Sequence, residues 1–102
     1  MEKRLQLSRI LHDILGKETG VYYQPPSNTR MEYPCILYNI DDVSTDHADN
    51  RPYRLTKRWL ITVIDRDPDS KIWEKVLELP TASYVRSYPA DDLNHHVINL
   101  HF

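Results

Sequence analysis

The stretch from Tyr53 to Asp65 constrains the fold of this chain more than any other. Tyr53, Leu55, Trp59, Ile61 and Val63 alternate onto one side, while Arg54, Thr56, Arg58, Leu60, Thr62 and Ile64 alternate onto the other. Period-two alternation is the mark of a β-strand, because successive side chains point to opposite faces. The first half is apolar on one side only. The second half is apolar on both, so that part must be covered on both faces and belongs in the interior of a sheet.

The remaining elements follow from pattern and punctuation. Leu7, Ile10, Leu11 and Ile14 recur at helical spacing within residues 2–16 and predict an amphipathic helix ended by Gly16 or Gly20. Val21 to Tyr23 forms a short extended piece, and the polar 24–33 stretch with its two prolines reads as a loop. Cys35 to Ile40 is a strand, with Pro34 tolerated at its start. Ser44 to Pro52 is polar and reads as a connection. Asp67-Pro68 supplies a cap and a first helical position, Asp69 complements the positive end, and Ile72, Trp73, Val76, Leu77 and Leu79 carry the helical stripe, predicting a helix over about 68–79. Ser83 to Tyr88 and His96 to Phe102 alternate around a turn at Ala90-Asp91-Asp92 and form a terminal hairpin.

Together these predict an α+β fold, a mostly antiparallel sheet of four to five strands with two helices packed on one face. With 102 residues, the whole chain, 1–102, makes one domain. A core this small leans on large side chains, so Trp59 and Trp73 are both assigned to it, and subunit association would add burial. Seven of the aromatics are tyrosine, a residue with an apolar ring and a polar tip, suited to boundaries and interfaces.

Several function classes lose their support at this level. Two glycines cannot build a phosphate-cradling loop, so no nucleotide cofactor is expected. Cys35 is the only cysteine and lies in an apolar run, which disfavours disulfide, zinc and nucleophile roles and suits a reducing interior. No apolar run is long enough for a membrane span and no secretory leader is evident, so a soluble, unprocessed chain without membrane partners is expected. Thirteen Lys and Arg against fifteen Asp and Glu lack the basic excess of a protein that grips nucleic acid. His95, His96, His101 and His47 invite a metal reading, yet neighbours on a strand point to opposite faces and cannot chelate together. The Asp65 to Lys71 segment superficially resembles a nuclease metal site, but no acid-spacer-lysine strand follows it. No catalytic or metal-binding set is therefore assigned.

A family resemblance covers nearly the whole chain. Its carriers are Glu32-Tyr33-Pro34-Cys35-Ile36-Leu37-Tyr38, the loop closing with Ala48-Asp49-Asn50-Arg51-Pro52-Tyr53, then Leu55-Thr56-Lys57-Arg58-Trp59, Val63-Ile64-Asp65-Arg66-Asp67-Pro68-Asp69-Ser70, and Asp92-Leu93-Asn94-His95. In these segments and their order the chain resembles the small tail terminator or tail-completion proteins of long-tailed phages of Gram-positive bacteria. The resemblance implies a homo-oligomeric ring, usually a hexamer, that ends tail-tube polymerisation at the head-proximal end. Its partners would be the tail tube protein and a head-completion or stopper protein, with DNA passing through the ring without sequence-specific binding. The protein would be a virion component of the tail or neck, present in the host cytoplasm during assembly. Another neck protein of the same connector is the alternative, followed at a distance by a small metal-dependent enzyme and by a host-directed binding module.

Charge patterning suggests where such a ring would meet. Arg54, Lys57 and Arg58 form a candidate subunit interface, and Asp41, Asp42, Asp46 and Asp49 a candidate acidic loop facing the lumen. The alternative is that these charges pair within one subunit across the same hairpin, above all at Arg58.

Overall fold

The computed structural model describes residues 3–25, 30–48 and 51–102, and for residues 44–48 and 51–56 the backbone alone. The elements are α1 (Lys3–Leu15), β1 (Val21–Tyr23), β2 (Cys35–Ala48), β3 (Arg51–Asp65), α2 (Ile72–Leu77), β4 (Ser83–Ala90) and β5 (Leu93–His101). They form an α+β fold around one five-stranded sheet in the order β1-β2-β3-β5-β4. Every pairing is antiparallel except β1 on β2, which runs parallel from Val21↔Ile36 to Tyr23↔Tyr38. The parallel pair exists because α1 and its glycine turn return the chain to the β2 edge. Gly16 ends the helix at φ 79°, its N–H bonded to the His12 carbonyl at 2.8 Å.

Both helices bury their apolar stripes on one face of the sheet. Leu7 and Leu11 of α1 and Val76 of α2 pack with Ile36, Tyr38, Trp59, Ile61, Val63, Ile98 and Leu100. The alternate residues Cys35 and Ile64, with Leu93, build a second, smaller cluster on the opposite face, covered by Tyr22, Met31, Tyr33 and Leu37. The two-sided apolar half of β3 thus separates a helix-covered core from one covered by the loop before β2. Trp59 is buried, whereas Trp73 is half-buried and packs at the margin of the main core.

Three element boundaries differ from those expected. The second helix is Ile72–Leu77, shorter than 68–79. Asp67 caps nothing in α2: its Oδ1 accepts the Asp69 N–H at 2.9 Å, and Asp65 Oδ1 accepts the Asp67 N–H at 2.9 Å, so these carboxylates fold consecutive tight turns instead. Residues 44–48 and 51–52 of the polar stretch are no loose connection, since the pairing of β2 with β3 continues to Ala48↔Arg51. The terminal hairpin also runs further than the alternation showed, β4 through Pro89 to Ala90 and β5 from Leu93. Its two-residue turn, Asp91 (φ 54°) and Asp92 (φ 61°), has the doubly left-handed backbone that matches strand twist.

Candidate subunit interface

The feature that sets this fold apart is the length of β2 and β3. Pairing of β3 with β5 stops at Arg58↔His101, followed by a 3.4 Å bond from the Phe102 N–H to the Lys57 carbonyl. On the other side, β1 reaches β2 only from Ile36 to Tyr38. Among the described residues the two strands pair, from Val43↔Lys57 to Ala48↔Arg51, with each other and with no other strand, forming a two-stranded arm. At about 3.3 Å per residue a strand as long as β3 spans close to 50 Å, which matches the 51 Å long axis of a molecule only 24 by 23 Å across. A two-stranded ribbon is marginal in water and gains stability from a surface to lie on.

The charged candidates lie along this arm. At its root the register shifts between Ile40↔Trp59 and Asp42↔Arg58, leaving Asp41 as an extra residue. Arg58 Nε donates to Asp41 Oδ2 at 2.8 Å, and Nη2 lies 2.8 Å from the same oxygen. Both side chains remain about one-third exposed, so solvent screening holds the pair to about 1 kcal/mol or less. Arg58 and Asp41, assigned to different surfaces on sequence grounds, are thus partners within one chain. Asp42 is exposed and opposite Arg58 in the register, while Asp46 is opposite Arg54. The side chains of Asp46 and Arg54, and all of Asp49, lie outside the described residues. In register, acidic positions of β2 therefore stand opposite basic positions of β3. Lys57 lines a hollow of about 290 Å³ on the helix side with Lys3, Arg4, Tyr23, Ile40 and Trp59.

At the opposite edge of the sheet, β4 is exposed along almost its whole length, with Tyr84, Val85 and Tyr88 among the large exposed side chains. Its rings join two aromatic stacks. Trp73 stacks on His96 with centroids 4.7 Å apart, Tyr84 meets Trp73 edge-on at 5.5 Å, and the Tyr84 hydroxyl is hydrogen bonded to His96 Nδ1 at 3.1 Å. His95 stacks on Tyr88, also at 4.7 Å. His96 belongs with α2 and His95 with the opposite face, so the two imidazoles serve separate stacks. Burial against these rings holds the His96 pKa below its ordinary value; the Asp65 charge opposes this and His95 adds to it.

Cys35 is fully buried, and burial pushes its thiol pKa up to about 11, with the Lys17 charge opposing and Asp65 reinforcing the shift. A thiol so placed has almost no thiolate at neutral pH. Among the described residues no group of three or more His, Cys, Asp or Glu side chains is arranged to hold a metal ion, and no helix is long and apolar enough to cross a membrane. Sequence reasoning missed the arm, the open β4 edge and the cationic hollow. Only the first left a trace, in the β-branched Val43, Thr45 and Thr56 in and around the polar stretch. No protein-family model and no curated protein sequence matches the chain.

Proposed function

We propose that this chain is a structural protein of a phage neck, a tail terminator that forms a ring at the head-proximal end of the tail, ends tube polymerisation and joins tail to head. It works by binding, without a catalytic step or cofactor, and it resides in the virion after assembly in the host cytoplasm. Its partners are copies of itself, the tail tube protein and the head-completion or stopper protein. The arm carries this reading. A ribbon pairing only with itself, on a domain whose far edge strand is open and tyrosine-rich, gives each subunit two unlike surfaces. Unlike surfaces favour head-to-tail contact, which closes into a ring when the rotation per subunit divides a full turn. The segment resemblance supplies the biological setting.

Deletion of the gene from a phage that carries it tests the reading. Overlong tails without heads are expected, with complementation by the intact gene restoring uniform length. Heads that fail to package while tails are normal would move the chain to another neck position, and normal particles would remove it from the neck altogether.

A further inference from the structure

The hollow at the root of the arm gathers three basic side chains. Lys3 and Arg4 reach it from the first turn of α1, and Lys57 from β3. The helix adds the positive end of its dipole, and among the described residues its first turn holds no acidic side chain. The Arg4 guanidinium lies over the Tyr23 ring, 4.9 Å from its centroid. Among the described residues neither Lys3 nor Lys57 is paired with a carboxylate. Trp59 forms part of the wall, and its indole N–H is buried without an acceptor among the described residues. Cations from two elements, a helix N-terminus and an unmet indole donor around one hollow call for the same ligand: a group with several negatively charged oxygens.

We propose that this hollow is an oxyanion-binding site, in which Lys3, Lys57 and the α1 N-terminus hold a carboxylate or phosphate group against the Tyr23 and Trp59 rings. Two sources present that chemistry, a free phosphate-bearing molecule and an acidic side chain from a second copy of the chain. The observations favour the second copy. Asp42, exposed, stands at the root of the arm, with Asp46 and Asp49 further along the sequence, so acidic groups complementary to Lys3 and Lys57 are present on the same chain. That choice of source rests on the ring reading, whereas the oxyanion site does not, and the two fail separately.

The test follows the Trp59 indole N–H cross-peak in ¹H–¹⁵N spectra of the whole protein, with the Trp73 peak as internal reference. Inorganic phosphate is expected to shift the Trp59 peak saturably, while sodium chloride at equal ionic strength does not. Lys3→Gln with Lys57→Gln, both at the surface, is expected to keep the folded spectrum and weaken phosphate binding by about tenfold or more. Failure of phosphate to shift the peak, an equal shift with chloride, or undiminished binding by the double variant overturns the site. Raising the protein concentration separates the sources. A matching shift that disappears in Asp42→Asn/Asp46→Asn/Asp49→Asn assigns the oxyanion to a second copy, and its absence while phosphate still binds overturns that source and assigns the site to a free phosphate-bearing molecule.

Discussion

Trp59 is the largest of the fully buried side chains and touches both Tyr23 and Tyr38, at ring separations of 6.1 and 5.9 Å. Replacing it by alanine removes the centre of the main core, so Trp59→Ala is expected to cost about 3–5 kcal/mol in chemical denaturation. Trp73 fills a half-buried position, and Trp73→Ala is expected to cost nearer to about 2 kcal/mol, because part of its cavity opens to solvent. Equal losses would show that the two rings are equally buried. His96 makes a pH prediction. Its folded pKa lies below the ordinary 6.5, so the unfolded chain binds more protons in the window beneath 6.5. Stability then rises with pH there: it is full above 6.5 and declines as pH falls through the folded value. His96→Gln is expected to flatten that slope in melting curves recorded between pH 5 and 7; an unchanged slope would assign it to other groups. The sequence made Trp59 legible because its strand alternates on both faces. Helical periodicity gave the direction of Trp73 but not its depth, which depends on the short α2 ending at the edge of the sheet.

At the level of elements, the arm is the least supported part of the fold, lying beyond β5 on one side and β1 on the other. Removing residues 44–56 and joining Val43 to Lys57 through Asn-Gly replaces it with a turn suited to a tight hairpin. The shortened chain is expected to keep the near-ultraviolet circular dichroism of the parent, since the described residues of both core clusters lie outside the excised stretch. Loss of that signal would mean that the arm is part of the folding unit. A second element prediction concerns the β4–β5 turn, where Asp92 holds φ 61° without being glycine. Asp92→Gly relieves the left-handed cost and is expected to raise stability by about 0.5–1 kcal/mol, read from the denaturation midpoint; destabilisation would show that the aspartate side chain holds the turn. The core elements were readable because burial imposes a period on their residues. The arm was not, because a ribbon outside the core needs only paired backbones and leaves its side chains free to be polar. The premature start assigned to the second helix has a similar origin: Asp67-Pro68 fits a cap, yet the carboxylates of Asp65 and Asp67 find nearer N–H groups and close tight turns first.

At the scale of the whole molecule, a small two-faced domain, an arm and an open edge are the features on which the proposed assembly rests. A small, polar interface gives only a modest surplus over the entropy of association, so the isolated protein is expected to be monomeric or in weak exchange, with rings forming on the tail end as template. Charge reversal by Arg54→Glu with Lys57→Glu is expected to leave a folded monomer that no longer controls tail length. Normal infectious particles from that variant would remove these positions from the interface. The arm itself offers the most direct trial of the central claim. Electron microscopy would compare tails assembled with the intact protein and with the arm-shortened chain, which keeps the core but not the ribbon. The account predicts uniform tails joined to heads with the first, and overlong, headless tails with the second. Uniform, head-bearing tails made with the shortened chain, or particles that never contain the protein, would contradict it.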